Sequence, residues 1–195
     1  MRLVTLEQAS GADGQPLFVD FVNTLHWYEG APIELIGTES EFAAWLVEHA
    51  LPPDDVAGCL PQIHRLRQHA RALTEALAGR RALPDADMQA LQAALAAPTG
   101  RLRLVEPESA TPNLGFAVDA AAVTIFSFQI ALSIALFLRS PQRRRLKLCA
   151  NPGCGFAFVD TSTNATRRWC FMQYCGNRLK VRAFRSRQKS GRRAR

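Results

Sequence analysis

Cys149-Ala-Asn-Pro-Gly-Cys154 and Cys170-Phe-Met-Gln-Tyr-Cys175 are the two stretches that decide the fold of the C-terminal part of this chain. They hold four of its five cysteines, and fifteen residues separate them. Zinc prefers four soft ligands in a tetrahedron, and two thiolates from each of two tight turns can supply them. The spacing therefore predicts one structural zinc ion per chain, held by Cys149, Cys154, Cys170 and Cys175. Two disulfides, or four unrelated buried thiols, are the alternatives.

The residues around the second cysteine pair resemble the CGNR zinc finger. The resemblance is carried by Arg168-Trp-Cys170, Cys175-Gly-Asn-Arg178 and Lys180, with the first cysteine pair and Phe158-Val-Asp160 in support. This finger is usually the C-terminal part of bacterial proteins whose N-terminal region is called the ABATE domain. Phe18-Val-Asp-Phe-Val-Asn-Thr24 fits that region. Because these proteins are described as stress-related transcription regulators, the resemblance implies a regulatory role.

Charge is distributed unevenly along the chain, whose formal net charge is +7. Residues 139–195 hold 16 Lys and Arg against one acid, Asp160, and residues 1–138 hold 8 against 16 acids. Residues 1–138 therefore have a net charge of −8, and residues 139–195 have a net charge of +15. Such asymmetry indicates an acidic body that carries a basic binding module. The alternative is a basic tail that only keeps the protein soluble.

The N-terminal pattern predicts a mainly α fold. Residues 1–14 look irregular, and Phe18, Phe21, Val22 and Leu25 then mark one face of a helix that ends at Gly30 and Pro32. Further helices are predicted after the capping box Thr38-Glu-Ser-Glu41, after Pro61 and after Pro84. Residues 101–105 and 114–118 predict a small β-hairpin. We expect a helical ABATE-like domain over 1–140, a treble-clef-like zinc finger over 145–188 and a basic tail over 189–195.

One apolar stretch, Ala120 to Leu138, has nineteen residues without a charge. That length is borderline for a membrane span. It contains Thr124, Ser127, Gln129 and Ser133, and a helix that is apolar on nearly all sides can be the central helix of a bundle. We therefore predict a core helix and no membrane partner.

Three polar residues on the first helix, Asp20, Asn23 and His26, project away from its apolar face. One interpretation makes them a small-molecule site. The other, which we prefer, is that their polar groups tie down neighbouring backbone.

The segment after the last cysteine predicts a helix with a basic stripe. Arg178, Arg182, Arg185 and Lys189 fall at i, i+4, i+7 and i+11, and Lys180 and Arg187 add to the charge. A stripe of this kind matches a phosphate backbone by charge and spacing, but it does not by itself specify base contacts. A solvated helix face is the alternative.

Together with the regulatory role that the resemblance implies, these patterns favour a cytoplasmic, DNA-binding transcription regulator whose helical body senses a signal or dimerises. An RNA-binding protein and a zinc-stapled protein-interaction module without nucleic-acid binding are the alternatives, because phosphate contacts alone do not separate DNA from RNA. A homodimer and a small-molecule effector remain open. We expect no enzyme, since four cysteines close the zinc shell. The start, Met1 to Glu7, is too short and too acidic for an apolar leader.

Overall fold

The computed structural model describes residues 2–5, 15–105, 113–178 and 180–181. Its α-helices are α1 (Leu17–Asn23), α2 (Glu39–Glu48), α3 (Leu60–Ala78), α4 (Asp85–Ala96) and α5 (Ala122–Arg139). Its strands are β1 (Arg2–Thr5), β2 (Leu25–Tyr28), β3 (Ala31–Glu34), β4 (Gly100–Val105), β5 (Asn113–Val118), β6 (Leu146–Leu148) and β7 (Ala157–Val159). The described part is therefore mainly helical with small antiparallel sheets, as the sequence predicts.

The main core lies between α1, α3 and α5. Phe18 of α1 packs against Phe137 of α5 at 5.3 Å between ring centroids, and Phe21 packs against Phe126 at 5.2 Å. Ile130, on the same helix α5, has no exposed surface. Burial of these large side chains is the main stabilising contribution to the body, at about 1.5–3 kcal/mol for each one.

Helix α2 begins at the predicted capping box. The Thr38 hydroxyl accepts a hydrogen bond from the Glu41 backbone N–H at 3.2 Å, and the Glu41 carboxylate accepts one from the Thr38 N–H at 2.9 Å. Two otherwise unpaired amides at the helix start are thereby satisfied. The helix buries Phe42, Trp45 and Leu46, which fixes its inward face.

Helix α5 is the one helix within the described ranges that is long and apolar enough to cross a membrane by length and composition. Half of that stretch is buried inside the fold. Its buried residues include Phe126, Ile130 and Phe137, which join the main core. Such burial is the arrangement predicted for a core helix.

The chain start differs from the prediction, because Arg2–Thr5 forms a strand where residues 1–14 were expected to be irregular. This strand, β1, pairs antiparallel with β5, and β5 also pairs with β4 as predicted, so the sheet order is β1-β5-β4. Its partner lies more than a hundred residues away, as Arg2 opposite Val118 shows. Four residues that pair over such a distance leave no periodic signal in the local sequence.

The predicted first helix is too long, because α1 ends at Asn23 and a β-hairpin follows. Strands β2 and β3 meet at Glu29 and Gly30, whose φ angles are +57° and +85°. Two consecutive positive φ angles give a turn whose twist matches that of the flanking strands. The hairpin is fixed to α3 by Arg67, which is nearly fully buried and donates hydrogen bonds to Glu34 and to the Thr24 hydroxyl.

The C-terminal cysteine-containing segment packs directly on the helical body. A short 3₁₀ turn, Pro141–Arg145, leads from α5 into the hairpin of β6 and β7. Leu146, Ala157 and Val159 of this hairpin belong to the same buried cluster as α1, α3 and α5. The two segments therefore share one core. The described residues beyond the last cysteine are too few to test the treble-clef prediction, so that detail stays a prediction.

Candidate metal centre and nucleic-acid interface

The four cysteines of the two pairs converge in the folded chain. Their sulfur atoms all lie within 4.8 Å of one another, and all four side chains are buried. The Cys154 and Cys170 sulfurs are 3.6 Å apart, as are those of Cys170 and Cys175. A tetrahedral Zn–S₄ site with bonds of about 2.3 Å has sulfurs about 3.8 Å apart. The spacing therefore fits one tetrahedral ion, and it is too long for a disulfide, whose sulfurs lie about 2 Å apart.

The chemistry of the donor set also fits a metal cation. Hydrogen bonds from Cys154 and Cys170 lower the pKa of Cys149 to about 2. The same interactions raise the pKa of Cys154 to about 12 and also raise that of Cys170, because both thiols donate to the Cys149 thiolate. A bound dication deprotonates its coordinating thiols outright. A dication bound between the four sulfurs would therefore hold all of them as thiolates.

Local backbone structure presents each cysteine pair. In the first pair, the Cys149 N–H donates to the Phe156 carbonyl at 2.8 Å and the Cys154 N–H donates to the Asn151 carbonyl at 3.0 Å. In the second pair, Cys175 lies in a π-helical turn, Met172–Gly176, and its N–H donates to the Phe171 carbonyl at 3.0 Å. The Asn151 side chain joins the two pairs, because its amide donates to the Cys175 sulfur at 3.5 Å.

The loop between β7 and the second cysteine pair is held by Asp160, which is fully buried. Its carboxylate accepts hydrogen bonds from Lys147 Nζ at 2.7 Å, from the Arg167 N–H at 2.9 Å, and from both the N–H and the hydroxyl of Ser162. Burial by itself raises the pKa of Asp160, but these donors outweigh it and hold the pKa below its usual range. Asp160 therefore remains ionised and fixes the loop.

The cysteine-containing segment is clamped to the helical body by Asn23. Its side-chain amide donates to the Ala157 carbonyl at 2.9 Å, and its oxygen accepts from the Ala157 N–H at 2.8 Å. The Trp27 N–H donates to the Cys154 carbonyl at 2.9 Å, and Arg71 of α3 donates to the Gly155 carbonyl. Body and finger are thus joined by hydrogen bonds as well as by the shared core.

The side chains of the three residues proposed from the sequence as a small-molecule site have separate partners. Asn23 is bonded to Ala157, so it ties down neighbouring backbone as our preferred interpretation expected. The His26 ring contacts Phe156, and its Nδ1 lies 2.9 Å from the Asn23 carbonyl oxygen. Asp20 instead faces His49, with 3.8 Å between its Oδ2 and the imidazole Nε2.

Two family models match the chain. Residues 145–188 match the CGNR zinc finger, and residues 15–141 match ABATE, described as "Putative stress-induced transcription regulator". The chain belongs to the ABATE family. A search of curated proteins gives no match. Both matches agree with the family resemblance of the sequence, and the finger's name agrees with the metal-binding geometry of its four cysteines.

Of the six basic residues predicted to bind nucleic acid, the structure describes Arg178, the first residue of the stripe, and Lys180. The Arg178 guanidinium lies 4.2 Å from the centre of the Tyr28 ring and 3.7 Å from a carboxylate oxygen of Glu29. Lys180 is exposed. The other predicted residues, Arg182, Arg185, Arg187 and Lys189, lie outside the described residues. The stripe therefore starts against the β2–β3 hairpin of the ABATE body.

Two features of the site were missed from the sequence. One is the ion pair of Asp160 and Lys147. Asp160 is the single acidic residue of a strongly basic segment, and that feature of the sequence could have indicated the pair. The other is an aromatic cavity beside the cysteines, lined by Trp27 and Tyr28 of the body and by Phe171 and Tyr174 of the finger. The aromatic residues inside the second cysteine loop could have indicated this cavity, but the residues of the body that complete it are distant in sequence.

Proposed function

We propose that this ABATE-family protein is a zinc-containing transcription regulator that binds nucleic acid, DNA in the first instance, through its C-terminal basic segment. One observation carries the proposal. The 57 residues from Arg139 onward contain a single acidic side chain, Asp160, and that side chain is fully buried. Every carboxylate side chain of this segment is thereby removed from the surface.

The electrostatic consequence is a surface of one sign. Ordinary solvated faces mix acidic and basic side chains, whereas a face that only carries Lys and Arg repels itself unless an anion binds to it. A polyanion neutralises such a face and releases its own condensed counterions, which drives association. The acidic body, with its charge of −8, disfavours binding elsewhere on the chain.

The role proposed for zinc is structural. Cys149, Cys154, Cys170 and Cys175 would hold it, and four cysteine ligands leave no open position for water or substrate. The ion would supply the positive charge that four thiolates need and fix the second cysteine loop from which the basic segment starts. The proposal therefore includes no catalytic activity. It also places the protein in the cytoplasm, where thiols stay reduced.

The ABATE body is proposed to influence the basic segment through Arg178. This residue belongs to the segment but contacts Tyr28 and Glu29 of the β2–β3 hairpin. A phosphate that binds Arg178 would compete with Glu29 for the same guanidinium. A change in the hairpin would therefore alter the charge that is available to nucleic acid.

The test is a binding titration on zinc-loaded protein at several salt concentrations, with duplex DNA and RNA of matched sequence. We expect affinity to fall steeply with salt, since each phosphate contact releases counterions. Joint replacement of Arg178, Arg182, Arg185 and Lys189 by alanine should lower both the affinity and the salt slope, by about one unit of slope for each side chain that binds a phosphate in the wild type. Arg101→Ala combined with Arg103→Ala, on exposed strand β4, is the charge-matched control for two of the four changes. Equal, weak binding by wild type and the quadruple variant at low salt would refute the proposal.

A further inference from the structure

A cavity of about 310 Å³ lies between the β2–β3 hairpin of the body and the second cysteine loop of the finger. Its walls are aromatic: Trp27 and Tyr28 come from the hairpin, and Phe156, Phe171 and Tyr174 come from the finger. Cavities of this size at the junction of two segments are common sites for ligands. Three of the cysteines, Cys154, Cys170 and Cys175, also line it, so the cavity borders the metal centre.

The rim of this cavity exposes large aromatic side chains. Tyr28 is 48% exposed, Phe171 is 48% exposed and Tyr174 is 57% exposed. Phe171 contacts Phe156 at 5.8 Å and Tyr174 at 6.2 Å, in edge-to-face arrangements that hold the rings in a row. Aromatic rings are costly to leave in water, and a contiguous group of them marks a binding surface. Phe156, Phe171 and Tyr174 therefore form one contiguous aromatic surface.

A permanently cationic side chain, Arg178, lines the same cavity. Its guanidinium lies over Tyr28, and its ion pair with Glu29 at 3.7 Å is solvent-accessible, since Glu29 is 66% exposed. Arg178 is also the first residue of the basic stripe, and Arg182 is the next. A polyanion that contacts Arg178 therefore lies beside the cavity.

We propose that the cavity takes one unpaired nucleobase of a nucleic-acid strand, stacked against Tyr174, with the adjacent phosphate at Arg178. The proposal rests on the proposed function, since the basic segment supplies the site for the polyanion. Proteins that bind single strands combine a basic groove with aromatic side chains on which bases stack. The open rim favours a base attached to a strand over a free metabolite, because pockets for small molecules usually enclose most of their ligand.

The experiment compares four fluorescently labelled nucleic acids of one sequence by anisotropy, using full-length, zinc-loaded protein. They are a blunt duplex, the duplex with one bulged adenosine, the duplex with an abasic bulge at that position, and the single strand. The abasic bulge keeps the extra phosphate and removes only the base. Adenosine 5′-monophosphate, titrated alone and followed by tryptophan fluorescence, tests the free-nucleotide source.

We expect the bulged adenosine to bind about 5- to 150-fold more tightly than the abasic bulge, the range given by base–aromatic stacking. In Tyr174→Ala, the affinities for the bulged adenosine and for the abasic bulge should become equal. Tyr174→Phe should keep the wild-type ratio of these affinities, because a phenyl ring stacks as well as a phenol. Leu104→Ala, at a residue 80% exposed on β4, is the control for loss of an exposed apolar side chain and should keep the full ratio.

Equal affinity of wild type for the adenosine and abasic bulges would overturn the inference, while steep salt dependence for the blunt duplex would leave the proposed function intact. Tight binding of free adenosine monophosphate without preference for the bulged duplex would overturn the assignment to a strand. Failure to bind all four nucleic acids at low salt would overturn the proposed function, and the inference with it. Retention of the ratio in Tyr174→Ala would remove Tyr174 from the site.

Discussion

Replacement of Asn23 by alanine tests whether the CGNR finger and the ABATE body are one structural unit. The Asn23 side chain makes two hydrogen bonds, both to the backbone of Ala157 on β7, at 2.9 and 2.8 Å. Ala157 has no exposed surface and Asn23 is 5% exposed. In the variant, one buried N–H and one buried carbonyl would lose their partner.

The magnitude follows from these two groups. A buried backbone donor or acceptor left unsatisfied costs about 1–3 kcal/mol, so the pair should cost about 2–6 kcal/mol of unfolding free energy. Asn23→Asp should cost at least as much, because it keeps the acceptor for the Ala157 N–H but points a carboxylate at the Ala157 carbonyl. Neither change touches a cysteine, so both variants should still bind one zinc ion.

The assay is urea unfolding of zinc-loaded protein, followed by circular dichroism and extrapolated to water. Asn164→Ala, which removes an exposed asparagine of the finger, is the matched control and should change the free energy by less than about 0.5 kcal/mol. A loss below about 1 kcal/mol in Asn23→Ala would refute the clamp. Separate unfolding transitions for the finger and the body in wild-type protein would refute it as well.

The remaining predictions concern the metal, the buried acid and the core helix. Cys170→Ser should release the ion and unfold the finger, since metal binding contributes on the order of 10 kcal/mol to folding. The control variant Cys59→Ser should keep one zinc ion per chain in elemental analysis. Absence of zinc from the wild-type protein would contradict this prediction. Asp160→Asn should destabilise by about 3–5 kcal/mol at pH 7, because Lys147 loses its charged partner. Because the folded pKa of Asp160 is lowered, its contribution is complete above the unfolded pKa of about 3.9 and is lost as pH falls through the folded value. The gap between wild type and Asp160→Asn in unfolding experiments should therefore narrow below about pH 4, and a constant gap would contradict the assignment. Ile130→Asp should cost more than about 3 kcal/mol through an unpaired buried charge, and Leu136→Asp, on the exposed side of α5, should melt close to wild type.

Features with a local cause were predictable from the sequence. The capping box at Thr38 and Glu41 needs only residues three apart, and the helix predicted after Pro61 carries that proline in its first turn. The metal centre was predictable because the cysteine spacing within each pair is a local property, and a metal ion that binds four cysteines would bring the two pairs together. The core role of α5 followed from its composition.

Features with a distant cause were not predictable. The apolar positions Phe18, Phe21 and Val22 continue their helical period to Leu25, yet the helix ends at Asn23, where the side chain bonds to Ala157, 134 residues away. The Glu29-Gly30 turn is the one local signal for the β2–β3 hairpin that follows α1. The aromatic cavity joins Trp27 and Tyr28 to the second cysteine loop, so no periodic pattern in either segment indicates it.

Crosslinking in cells is the measurement that tests the account most directly. The full-length protein is irradiated in living cells and purified under denaturing conditions, and the attached nucleic acid is sequenced while the crosslinked peptides are mapped. We expect DNA fragments attached to peptides beyond Cys170, and greatly reduced recovery of DNA from the Cys170→Ser variant. Nucleic-acid binding through the basic segment would be contradicted if wild type yields no more nucleic acid than Cys170→Ser. Crosslinks confined to residues 15–105 of the acidic body would contradict it as well.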